Sequence, residues 1–87
     1  MKINFKIVHY KQLTALLERE ATGSASELAM KIGVSRSTIF KMLDEIRGAG
    51  IAIKYNGNIK SYTYQNNKRL KISQPLTVID IQSKSDS

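Results

Sequence analysis

The sequence contains no cysteine, one histidine and one proline, and its acidic residues are half as many as its basic ones, seven against fourteen. Without cysteine neither a disulfide framework nor a thiolate metal site can form, so the fold rests on packing alone and a reducing compartment suits it. Catalysis has little to stand on. The single histidine, His9, has no motif around it and reads as solvated or half-packed, and the carboxylates are scattered without the pairing that acid–base work requires. Gly48-Ala49-Gly50 lacks the Lys-Ser/Thr pair of a phosphate loop and reads as a helix exit. No apolar run approaches the roughly eighteen residues of a membrane span, and MKINFKIVHY has no apolar block of a secretion signal. These absences lead to the expectation of a soluble cytoplasmic protein that is not an enzyme, with no catalytic residues, no metal, no cofactor and no membrane partner.

What is present is one small domain's worth of chain, 87 residues, with a net charge of +7. The charge is concentrated. Up to Ser35 there are five basic and three acidic residues, from Arg36 to Lys71 eight and two, and beyond that one and two. A local basic excess of this kind is what a surface for a polyanion looks like.

Apolar periodicity divides the first half into three helices. Tyr10, Leu13, Leu16, Leu17 and Ala21 recur at helical spacing across Ile7 to Glu20, with Lys11, Gln12, Glu18 and Arg19 opposite. Ser24 followed by Glu27 is a capping box that starts a short second helix burying Leu28, Ala29 and Ile32, and Gly33 ends it. Ser35 caps a third helix, residues 35–47, whose core arc holds Ile39, Met42, Leu43 and Ile46 when residues are spaced about 100° apart. Its outer arc carries Ser37, Phe40, Lys41 and Asp44, bordered by Arg36 and Thr38. A large aromatic beside a lysine therefore faces outward by periodicity. Asp44 on the same arc calls for a partner, either Lys41, Arg47 or a cytosine amino group.

Residues 51–64 read as a β-hairpin around Gly57-Asn58, in a register that sets Ile53 against Tyr62 and Ile51 against Tyr64, with Lys54 and Lys60 near the tip. Tyr55, Tyr62 and Tyr64 are hairpin packing, Tyr55 being the one near enough to the tip to reach a DNA backbone. Lys68, Arg69 and Lys71 read as a solvated basic stretch. Residues 1–72 then form the domain and 73–87 an extension, with a β-prone segment at 76–81 and a disordered tail. The apolar LTVIDI segment has no evident partner in so small a core, which raises the expectation of a homodimer.

The order helix, helix, glycine turn, helix, hairpin is the decisive pattern. Two helices joined by a tight turn let the second project its outer face, and a B-form major groove, about 12 Å wide, admits one α-helix. Leu28, Ala29, Ile32, Gly33, Val34, Ser35, Thr38, Ile39, Phe40, Lys41, Leu43, Ile46 and Gly50 fill the run that carries this turn. In that run the chain resembles the winged helix-turn-helix domains of bacterial transcription regulators, and is similar to the N-terminal domains of DeoR-type and biotin-repressor-type regulators over about Tyr10 to Tyr64. The resemblance implies an α+β, three-helix winged helix-turn-helix fold with a C-terminal β-hairpin wing. It also implies sequence-directed binding of double-stranded DNA, with the third helix in the major groove and the hairpin as a wing on the adjacent backbone or minor groove. Many relatives have arginine where Lys41 stands, and lysine acts more as a point charge. Ser37, Phe40 and Lys41 are the expected base contacts, and Ser35, Arg36, Thr38, Lys54 and Lys60 the expected phosphate contacts. No small-molecule ligand is inferable. The competing reading is a winged-helix docking module that anchors a protein partner through Phe40 and its neighbours.

Overall fold

The computed structural model describes residues 7–71 and 77–80. Three helices, α1 (Ile7–Glu18), α2 (Ala25–Ile32) and α3 (Arg36–Gly48), are followed by strands β1 (Ile53–Asn56), β2 (Ser61–Tyr64), β3 (Lys68–Lys71) and β4 (Thr77–Asp80). The expected α+β layout, three helices and a hairpin wing, is the one found. No helix among the described residues is long and apolar enough to cross a membrane.

The helix boundaries follow from local chemistry. Ser24 caps α2: its N–H donates to Glu27 Oε1 at 2.8 Å while its hydroxyl accepts from the Glu27 N–H at 3.2 Å, completing the capping box. The box leaves no room beside Gly23, where a Cβ would lie 2.6 Å from Glu27 Oε1. Gly33 ends α2 in the left-handed region at φ 87°, and its N–H and that of Val34 both return to Ala29 O. The first helix stops two residues short of the expected Glu20. There Glu20 itself adopts φ 53°, with its N–H on Leu17 O and the Ala21 N–H on Leu16 O, the bonding pattern glycine usually serves. Ala21 is consequently exposed rather than part of the apolar face.

The core is continuous across the three helices and the base of the hairpin: Tyr10, Leu13 and Leu17 meet Leu28, Ile39, Met42, Leu43 and Ile46, closed by Ile51, Ile53 and Tyr62. Tyr10 is fully buried, and its hydroxyl donates to Glu45 Oε1 at 2.7 Å, tying α1 to α3. Burial first, and the facing carboxylate second, push this phenol well above the ordinary tyrosine range. His9 is half-buried, and its Nδ1 is enclosed without a hydrogen-bond partner.

The hairpin register differs from the expected one. A four-residue turn, Gly57–Lys60, replaces the two-residue turn, so Ile53 lies opposite Tyr64, Lys54 opposite Thr63, Tyr55 opposite Tyr62 and Asn56 opposite Ser61. Asn56 accounts for the longer loop, since its Oδ1 accepts the Asn58 N–H at 2.9 Å, and Lys60 completes the reversal at φ 52°. The slip is two residues. Each side chain therefore keeps its face, and alternation alone cannot distinguish the two registers.

The wing is fastened to the helices by a buried polar cluster. The Thr22 N–H donates to Ser61 Oγ at 3.0 Å, the Tyr62 N–H donates to Thr22 Oγ1 at 2.8 Å, and the two hydroxyl oxygens are 3.1 Å apart. Thr22 and Ser61 are both fully buried. On the other edge of the hairpin, Arg47 Nε donates to Ile53 O at 3.1 Å, so α3 holds β1 as the α1–α2 connection holds β2.

The C-terminal strand pairs within the chain: β4 is antiparallel to β3, with Leu70 opposite Val78. Leu70 is buried in the core and Arg69 anchors the strand to α1, its Nε 2.7 Å from Glu18 Oε2 and its guanidinium 3.6 Å from the centre of the Tyr64 ring. Burial, and next the Glu18 charge, raise the Tyr64 phenol to about 12. Arg69 is thus a packed residue, not part of a solvated basic stretch. The expected disordered tail and the rest of the 73–87 extension beyond β4 lie outside the described residues.

Replacing Thr22 with valine keeps the volume but leaves the Tyr62 N–H without its buried acceptor. The expected cost is about 1–3 kcal/mol of unfolding free energy in urea melts. A loss below about 0.5 kcal/mol, no more than an ordinary surface change, would show that the cluster does not hold the wing.

Candidate nucleic-acid interface

Helix α3 presents the outer arc expected of it. Ser37 and Lys41 are exposed, and Phe40 keeps 40% of its surface accessible while its core arc, Ile39, Met42, Leu43 and Ile46, is buried. Ser35 and Thr38 are less free than their neighbours. The Ser35 hydroxyl accepts the Thr38 N–H at 3.1 Å and lies 2.9 Å from Thr38 Oγ1, so both side chains serve the N-cap before they serve a ligand. Asp44 is exposed and pairs with Arg47, Nη1 to Oδ1 3.5 Å, one of the partners it calls for. At that distance and exposure the pair is weak, yet it places a cation beside the one carboxylate on the outer arc.

Phe40 does not stand alone. Arg36, one turn earlier, holds its guanidinium 5.3 Å from the ring centre, within cation–π range. The two side chains line a cleft of about 270 Å³ with Ser24 and Ser26 at the start of α2 and with Tyr55 and Tyr62 of the wing. Tyr55 is 41% exposed and meets Tyr62 edge to face at 5.1 Å between ring centres. Sequence periodicity gives Phe40 and the tyrosines separately; that they share one cleft depends on the wing's position, which no local pattern encodes.

The two wing lysines are placed apart. Lys54 alternates with Tyr55 along β1 and lies opposite Thr63, so it sits on the hairpin face away from the Tyr55–Tyr62 pair. It lines a separate groove with Arg47, Ile51, Ala52 and Gln65, at the C-terminal end of α3. Lys60 lies at the wing tip near α2: its charge, with that of Lys31, helps to hold the Glu27 carboxyl below the usual carboxylate range. The larger causes of that shift are the hydrogen bonds from the Ser24 backbone and then its side chain.

A family model described as an HTH domain matches residues 10–58, from the first core residue of α1 to the hairpin turn and more than half of the chain. The chain belongs to this helix-turn-helix family. No curated protein and no solved structure gives a significant match.

The capping box borders the cleft, and its acid supplies a pH test. Because the folded state holds the Glu27 carboxyl low, its contribution is present above the ordinary carboxylate pKa and is lost as pH falls through and below that value. In Glu27→Gln the amide oxygen can still accept the Ser24 N–H but does not titrate. Thermal melts between pH 7 and pH 3 are expected to show a shallower acid decline for Glu27→Gln than for the parent chain; superimposable declines would mean that the box does not contribute to it.

Proposed function

We propose that the chain is a small transcription regulator of the DeoR and biotin-repressor type that binds specific duplex DNA, with α3 in the major groove and the β1–β2 hairpin as its wing. The observation that carries this reading is the outer face of α3. It is polar and basic at Arg36, Ser37 and Lys41, carries one exposed aromatic, and is backed by a fully apolar inner face inside a helix-turn-helix family match. Ser37 and Lys41 have the donors to meet base edges, Phe40 can cover a thymine methyl or a sugar, and Arg36 and Lys60 are cations for phosphates, with Ser35 and Thr38 adding hydroxyls at the helix start.

The protein-docking alternative needs Phe40 as a free anchor. The ring is instead flanked by a guanidinium and shares its cleft with the serines at the start of α2 as well as with Tyr55 and Tyr62, a mixed, cation-bearing surface suited to a sugar-phosphate polyanion. One module reads only a few base pairs, and a homodimer on a palindrome would extend that reach. The exposed Ile79 on β4 is a surface such a pair could cover.

The test is selection of a preferred site from a random duplex pool, followed by titration of variants on that site. Lys41→Ala and Phe40→Ala should each weaken binding by about 1–3 kcal/mol, the usual cost of a lost base contact, with less effect on unrelated sequence. Variants as tight as the parent on the selected site would remove α3 from the interface.

A further inference from the structure

The cleft between α3 and the wing sets beside Phe40 and Arg36 a wing ring, Tyr55, that the major-groove reading does not use. Two partly exposed rings, Phe40 and Tyr55, face it, with the Arg36 guanidinium at one side and the serines of the α2 start at the other. Phe40 belongs to the outward arc of α3, so the hairpin face that shares its cleft is continuous with that arc. The Lys54 face is not: it opens on the groove at the far end of α3. Charge alone would choose Lys54 as the wing's DNA contact, whereas topology chooses Tyr55. A duplex lying against α3 passes its sugar-phosphate backbone along the wing, and that unit has an apolar sugar edge for a ring and an anionic phosphate for a guanidinium.

We propose that the cleft seats one sugar-phosphate unit of the bound duplex, with Tyr55 packed on the deoxyribose and Arg36 on the phosphate, and that Lys54 lies outside the interface. Tyr55 is then a positioning residue, fixing where the wing rests and hence the depth at which Lys41 meets the bases. Lys60, in the turn at the wing tip, is close enough to the α2 start for its charge to reach Glu27, and it adds a second cation at this end of the wing. The inference rests on the DNA-binding reading above and adds to it which face of the wing is used.

The discriminating experiment compares Tyr55→Ala with Lys54→Ala on a random-sequence duplex by fluorescence anisotropy at a single low salt concentration, with thermal melts to verify folding. Tyr55→Ala removes no charge and Lys54→Ala removes one, so simple electrostatics predicts loss only in the lysine variant. The cleft predicts the reverse order: about tenfold weaker binding for Tyr55→Ala, a typical cost for one lost contact, and a change within about twofold for Lys54→Ala. Tyr55→Phe, which keeps the ring and its edge contact with Tyr62, should bind within about twofold of the parent. In the unmodified complex, nuclear Overhauser effects should connect the Tyr55 ring protons with deoxyribose protons, a check that depends on no variant. Loss confined to Lys54→Ala, equal losses in both, no loss in either, or a Tyr55 ring without contacts to sugar would each overturn the proposal while leaving the DNA-binding reading intact. Failure of the parent chain to bind would instead overturn that reading itself.

Discussion

The fold depends on a small buried polar contact, the pairing of Thr22 with Ser61 and the Tyr62 N–H. Helices α1, α2 and α3 can collapse around Leu13, Leu28, Ile39 and Leu43 by apolar burial, which is strong but indifferent to direction. A two-stranded hairpin, by contrast, is barely stable by itself and can dock on such a core in many orientations. The Thr22 hydroxyl removes that freedom. An outward-facing N–H of β2 must find an acceptor once it is buried, and Thr22 supplies one at 2.8 Å, so only one placement of the wing satisfies both groups. From that placement follow the approach of Tyr55 to Phe40 and the separation of Lys54 from both.

Arg47 performs the matching task on the opposite edge, where its Nε caps Ile53 O and its Nη1 reaches Asp44. One side chain thereby fixes the end of α3 against β1 and places a cation next to the carboxylate on the outer face. The second hairpin is held differently, by the buried Leu70 and by Arg69 between Glu18 and the Tyr64 ring. The result is an outward face of α3 flanked by a wing whose two surfaces differ in chemistry, aromatic toward the cleft and cationic at Lys54.

Much of this was legible in the sequence because it is local. The Ser24–Glu27 box, the Gly33 turn, the Ser35 cap and the arcs of α3 are set by residues within a turn or two of one another, and each is found where its chemistry requires. Three features were not legible, for distinct reasons. Glu20 in a left-handed conformation gives no sequence signal, because the usual signal is glycine. The two-residue register slip preserves every face, so the alternation that revealed the hairpin could not number it. The cleft joining Phe40 to Tyr55 depends on Thr22 meeting a residue 39 positions away, a separation no periodicity spans.

The central claim, that the α3 face and wing hold a polyanionic duplex, is tested most directly by the salt dependence of binding of the parent chain to a duplex. With Arg36 and Lys60 each neutralising a phosphate and displacing a counterion, the logarithm of affinity should fall linearly with the logarithm of salt concentration, with a slope of about −2. A chain that shows no binding even at low salt, or binding indifferent to salt, would contradict the account.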